Sequence, residues 1–141
     1  MTRNIEVTQD LRSCFDLRHQ VFVVEQGVPA REELDHLDET ATHLLAHDVL
    51  GPVGTARIVF DGDVAKIGRV CVLERARGSG LGADLIRKAV ELCEGTAGIV
   101  TVRLGAQLHA LSFYRKLGFV AVGPTYLDAG IEHQDMSREL T

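Results

Sequence analysis

Hydrophobic and polar positions change period along this chain, and each change marks a new element. Asn4–Val7 is a short extended stretch. Leu11, Cys14, Phe15, Arg18, Val21 and Phe22 then recur at helical spacing, which predicts an amphipathic helix from Gln9 to about Glu25. Thr8 is placed as its N-cap, with Asp10 favourable in the first turn. The segment VFVVEQG turns β-like, and Gly27 and Pro29 stop the helix. Arg31–Thr40, REELDHLDET, is a charged loop with room for one helical turn.

Three strands are predicted next, Ala41–Val49, Val53–Phe60 and Val64–Leu73, broken by the turn signals GPVG and DGD. Alternation puts Ala56, Ile58 and Phe60 on one face of the second. In the third it puts Val70 and Val72 on one face and Ile67 and Cys71 on the other. The period then becomes helical: Leu81, Leu85, Ile86, Ala89, Val90 and Cys93 form a stripe opposite Asp84, Arg87, Lys88 and Glu91. Ile99–Leu104 is a Val-rich strand. Leu108, Leu111, Tyr114 and Leu117 mark another helix, with Gly118 at its C′ position. Phe119–Val122 and Ile131–Leu140 are the last strands. The order β-α-β-β-β-α-β-α-β-β predicts a mixed sheet with helices packed on it, an α/β (α+β) class.

A length of 141 residues predicts one domain over residues 1–141. With no Trp and 5% aromatics, its core must be mostly Val, Leu, Ile and Ala. A formal charge of −5 argues against a nucleic-acid partner. No apolar run approaches the roughly 18 residues that span a bilayer, and MTRNIEVTQD has no apolar core of a signal peptide. Cys14, Cys71 and Cys93 form no CxxC, which predicts reduced thiols in a cytoplasmic protein.

The most informative stretch is Val70–Ile86, VCVLERARGSGLGADLI, a strand that enters a Gly-rich turn and then a helix. Gly78, Gly80 and Gly82 clear the backbone N–H groups of side chains, and the helix dipole adds positive potential. Arg75 and Arg77 are expected to add fixed positive charge. A phosphate or pyrophosphate is the natural occupant. GSGLGA also fits a dinucleotide fingerprint, but Val102-Arg103-Leu104 supplies no acid where the ribose would need one, and preceding hairpins are wrong for a doubly wound sheet. The P-loop Lys-Ser/Thr pair is replaced by Ala83-Asp84.

RGSGLG, with Arg77, Gly80 and Gly82 at the signature positions, resembles the acyl-CoA motif of the GNAT superfamily of N-acetyltransferases. LGAQLHALSFYRKLGF, Leu104 to Phe119, resembles a second segment of that superfamily. VFVVEQGVP and YLDAGIEHQDM are similar to its ElaA-like branch. The resemblance covers essentially the whole chain. It implies the GNAT acyl-CoA acyltransferase fold, a mixed, mostly antiparallel sheet of roughly six or seven strands flanked by three or four helices. It implies acetyl-CoA as acyl donor, no metal, and a small-molecule amine or protein amine as acceptor, in a monomer or homodimer.

By the same resemblance, the backbone from Arg77 through Gly78, Ser79, Gly80, Leu81 and Gly82 to Ala83 receives the pyrophosphate. The pantetheine arm lies along Val70, Cys71 and Val72, and the Val72 N–H polarises the thioester carbonyl. Gln107 contacts the cofactor. Tyr114 matches the general acid that protonates the departing thiolate; on the residues alone it reads as a core aromatic on an amphipathic helix with its hydroxyl satisfied. The base stays open. Many relatives carry a Glu where this chain has Val102 and Arg103, which leaves Glu33, Asp35, His43 or a water. The acidic loop is either a cation-attracting acceptor site or a solvated surface. Asp35, His36, Asp38 and His43 match no metal-binding spacing. Cys71 is expected to be a buried hydrophobe, not an acyl carrier. His133 lies in the second branch motif without a derivable role. A catalytically weak module that binds CoA for sensing or regulation is the alternative.

Overall fold

In the computed structural model, which describes residues 4–140, the strands are β1 (Asn4–Thr8), β2 (Thr42–Asp48), β3 (Gly51–Asp61), β4 (Val64–Val72), β5 (Thr101–Gln107), β6 (Val120–Asp128) and β7 (Ile131–Glu139). The α-helices are α1 (Leu11–Arg18), α2 (Ala30–Glu33), α3 (Leu81–Glu94) and α4 (Leu111–Arg115). The strands form a seven-stranded sheet in the order β1-β2-β3-β4-β5-β7-β6. Every pairing is antiparallel except β4 with β5. The order of strands and long helices is the one the periodicity predicts.

Burial follows the pattern. The stripe Leu81, Leu85, Ile86, Ala89, Val90 and Cys93 is buried, and it packs α3 onto β3 and β4. The other face of β3 lies under α1, so Val53 to Ile58 is buried without interruption, as expected of a strand covered on both sides. Strand β5 alternates, with Val102, Leu104 and Ala106 inside and Thr101, Arg103, Gly105 and Gln107 on the opposite face.

Several local expectations are corrected. The N-cap of the first helix is Asp10, whose carboxylate accepts from the Ser13 N–H at 3.1 Å; Thr8 instead accepts from the Asp10 N–H. After Arg18 the chain stays helical but widens to a π-helix, His19–Glu25, where a β-like end was expected. Val21, Val23 and Val24 crowd this stretch, and β-branched side chains tolerate an α-turn poorly. β5 starts and ends later than Ile99–Leu104. β6 continues through Pro124 to Asp128, past the expected stop at Val122, because a register shift between Val122 and Thr125 absorbs the Gly-Pro pair.

The correction with most consequence lies in β4. Thr55 pairs with Cys71 and Arg57 with Gly68, so one extra residue stands opposite Ala56. This is a β-bulge, and Arg69 adopts φ +53° within it. The extra residue reverses the face pattern. Ile67 therefore packs with α3 in the main core, whereas Cys71 packs with Cys14, Leu17, Val21 and Leu45 on the α1 side. Strict alternation had put Ile67 and Cys71 on one face.

Candidate active site

Parallel pairing of β4 with β5 runs from Val64–Thr101 to Ile67–Leu104 and then stops. On its other edge β5 stays paired with β7 along its whole length, and beyond Leu104 it has β7 alone, Gly105 with Asp135, Ala106 with Gln134 and Gln107 with His133. Gly68–Val72 is consequently left without a strand on one side, and a wedge opens in the sheet. Leu73 N–H donates to the Val53 carbonyl at 2.8 Å. Successive N–H groups of an extended strand point to opposite sides, so that of Val72 points into the wedge. A cleft of about 800 Å³ runs from the wedge over the open face of the sheet; Val70, Gln107, Tyr114, Tyr126, His133 and Asp135 are among its lining residues.

The Gly-rich turn meets the end of β4. Gly78 and Gly80 have φ +76° and +86°, a region that side chains disfavour, and an added Cβ at either would enter open space. Gly80 is the N-cap of α3 and supplies no side-chain cap. The amides of Gly80, Leu81, Gly82 and Ala83 are the first four of the helix, which no intrahelical carbonyl can reach. Arg77 N–H is outside this set, because it donates to the Glu74 carbonyl at 3.2 Å.

The two arginines do not add unpaired charge here, contrary to expectation. Arg75 is paired with Asp48 at 2.7 Å and Arg77 with Glu25 at 2.8 Å. Arg77 Nε also donates to the Val72 carbonyl at 2.9 Å and so ties the turn to the wedge. The π-helix delivers both Glu25, to Arg77, and Gln26, whose Oε1 accepts from Gln107 Nε2 at 3.1 Å. π-helical segments recur at functional sites, and here the wider turn carries two residues to the cleft.

Tyr114 projects from α4 with its ring edge-on to Phe113 and Phe119. Burial pushes its phenol up to about 12. It is thus both of the things its position allowed, a half-buried aromatic against the core and a cleft-lining hydroxyl. Burial likewise pushes the Cys71 thiol up to about 12. That thiol holds its proton at neutral pH and is a poor nucleophile.

The acidic loop is neither a cation trap nor a solvated surface. Arg18, 1% exposed, donates Nε and Nη2 to the Glu33 carboxylate and Nη1 to Asp38 at 2.7 Å. Arg57 pairs with Asp35 and Asp38. Arg69, set at the bulge, reaches the Glu33 carbonyl at 3.0 Å and Asp35 at 3.3 Å. Three arginines thus face three carboxylates. Hydrogen bonds from Arg57 hold Asp35 down at about 2. Burial pushes Asp38 upward, but Arg18 and Arg57 outweigh it and keep Asp38 below its ordinary value. His43 is buried and donates Nε2–H to the Asp38 carbonyl at 2.9 Å. Glu33, Asp35 and His43 therefore share one interlocked network. Both Glu33 oxygens are occupied by Arg18, and Asp35 and Asp38 are committed to arginine, not arranged for a metal.

Sequence reasoning left another constellation without a role. Residues 128–131 close the β6–β7 hairpin, with Ala129 and Gly130 both at positive φ. The hairpin sets Tyr126 opposite His133, their rings stacked at 5.9 Å, and Tyr126 O–H donates to Asp135 Oδ1 at 2.6 Å. The Tyr126 hydroxyl lies over β5, where a Cβ on Gly105 would come within 2.5 Å of it. Gly105 was the available signal: a glycine inside an alternating strand marks a close approach.

The GNAT acetyltransferase domain model matches residues 10–140. The chain is 38% identical over 132 residues to the uncharacterized N-acetyltransferase YjcF of Bacillus subtilis, covering 93% of this chain and 94% of that one. A crystal structure of an acyl-CoA N-acyltransferase from Pseudomonas aeruginosa superposes with TM-score 0.85 at 34% identity, over 97% of this chain and 98% of that one. Escherichia coli ElaA superposes with TM-score 0.85 at 33% identity, over 98% and 99%.

Proposed function

The chain belongs to the acetyltransferase (GNAT) domain family and is an N-acetyltransferase, and from that premise we propose that it carries an acetyl group from acetyl-CoA to a primary amine by direct attack in one ternary complex. One observation carries the reading: the sheet opens beyond Ile67 and Leu104 beside the uncapped mouth of α3. A thioester carrier needs both features, an anion seat for its diphosphate and a strand-like slot for its arm.

The amides of Gly80 to Ala83 hold the diphosphate, with Gly78 and Ser79 shaping the approach. The arm lies beside Val70, Cys71 and Val72, where it takes up the backbone groups that β5 leaves unpaired. The Val72 N–H then donates to the thioester oxygen, and one such donor is worth about 3–4 kcal/mol as negative charge develops there. Gln107, steadied by Gln26, bounds the wedge on the β5 side.

Tyr114 supplies the proton for the departing sulfur. Its phenol, at about 12, is fully protonated at neutral pH. Transfer to a thiolate of ordinary pKa near 8.5 is uphill by about 5 kcal/mol, so the phenol first acts as a hydrogen-bond donor to sulfur. The transfer completes as the surplus proton of the new amide nitrogen restores the phenol. Glu33 and Asp35 serve to hold the loop beside the cleft and take no proton from the amine.

The test is thiol release from acetyl-CoA with putrescine, lysine, a lysine peptide and glucosamine as acceptors. Wild-type protein should turn over at least one of them, and Tyr114→Phe should lose about 100-fold or more in kcat with acetyl-CoA affinity unchanged. Binding of acetyl-CoA without turnover of any acceptor would instead describe a sensing module.

A further inference from the structure

His133 has its tautomer set by the backbone. Its Nδ1 lies 2.7 Å from the Ile131 carbonyl, which can only accept, so Nδ1 carries the hydrogen. In the neutral ring Nε2 is then the lone-pair nitrogen. The ring is held flat against Tyr126 and stands in register with Gln107, at the rim of the wedge. Asp135, two residues on and on the same face, accepts from Tyr126 O–H and has no ion-pair partner among the described residues. Tyr126, His133 and Asp135 all line the same cleft as Tyr114. A fixed lone pair, an unneutralised carboxylate and a proton donor thus share one chamber.

Resting on the transferase reading above, we propose that His133 is the general base and that Asp135, oriented by Tyr126, is the counter-ion of the acceptor's ammonium group. The acceptor is then a cationic amine whose charged end binds in the cleft over the face of β5 and β7, beside Tyr126, His133 and Asp135. An ammonium gives one proton to His133 Nε2. The freed nitrogen lone pair forms the C–N bond, the C–S bond breaks, and the sulfur takes the Tyr114 proton. The second nitrogen proton returns to Tyr114 through solvent, and His133 releases its proton to water. One amide, one thiol and one proton are the net products.

His133→Ala and His133→Gln test this, assayed with acetyl-CoA and the same four acceptors. Both variants should lose about 100-fold in kcat/KM for the acceptor, while acetyl-CoA affinity stays unchanged. Added imidazole should recover part of the His133→Ala activity, because the small base can enter an open cleft. His109→Gln, a second cleft histidine, should retain full activity. Equal turnover by wild type and both His133 variants, or a loss that imidazole does not recover, overturns the assignment and leaves the transferase intact. Absence of wild-type turnover on every acceptor removes the transferase reading itself, and this inference with it.

Discussion

The mouth of α3 and the loop around Arg18 are both polar, yet they handle polarity in opposite ways. At the loop, three arginines and three carboxylates pair with one another, and Arg18 and Glu33 are almost completely buried. Their charged groups are committed to one another rather than to a ligand. At the helix mouth, glycines replace side chains, the cap residue offers no oxygen, and the amides open outward. The exposed amides at the helix mouth are free of a side-chain cap and so can serve as the anion seat that the transferase reading needs. Charge density in the sequence left the loop as either an acceptor site or a solvated surface. The structure makes it a clamp, with Arg69 joining it to the bulge that starts the wedge.

The largest expected effect comes from breaking the closed region. Arg18→Ala takes from buried Glu33 its hydrogen-bonding arginine and from Asp38 one of its two, and should cost about 3 kcal/mol of stability, read from denaturant unfolding. Acetyl-CoA affinity of the folded fraction should be unchanged, since the loop does not touch the diphosphate seat. An equal loss of affinity would erase the distinction between the two regions.

A smaller effect is expected from the open one, with the opposite signature. Gly80→Val forces a branched side chain into φ +86° and should cost about 1–2 kcal/mol of stability. Here affinity is what suffers: acetyl-CoA binding by calorimetry should weaken by tenfold or more, about 1.4 kcal/mol, as the amides are displaced. Retained affinity in this variant would show that the glycines serve only the turn.

The smallest effect is a pH dependence. Arg57 lowers the Asp35 carboxyl to about 2 from 3.8. The folded state therefore gains from Asp35 above about pH 4, and that gain disappears as pH falls toward 2. Asp38 shifts in the same direction. Asp35→Asn should flatten the acid limb of Tm between pH 4 and 2 and leave its neutral plateau lower. An unchanged acid limb would mean that the loop is not held by these pairs.

Most of the fold was legible because hydrophobic periodicity reports burial directly. The α3 stripe and the three central strands are where it was expected to be clearest, and β5 was displaced only at its ends. What periodicity cannot register is an inserted residue. The bulge at Arg69 moved Ile67 to the opposite face from Cys71, and the π-helix kept Val21–Val24 helical. The turn before α3 was legible in Gly78 and Gly80, since few other residues accept their backbone angles, whereas Gly82 sits inside α3. The pairing of Arg75 with Asp48 and Arg77 with Glu25 was not, because partners 27 and 52 residues apart meet only after folding. The same limit hid the Arg18 network and the Tyr126–Asp135 contact.

The central claim is that open amides at the mouth of α3 and at Val72 receive acetyl-CoA. Backbone amide spectra of isotope-labelled protein, recorded during titration with acetyl-CoA, address it directly. The account predicts that the largest shifts fall on Gly80, Leu81, Gly82, Ala83 and Val72, with Glu33 and Asp38 scarcely moving. Saturation without movement of the Gly80–Ala83 amides, or with the main shifts in the Arg18 loop, would contradict it.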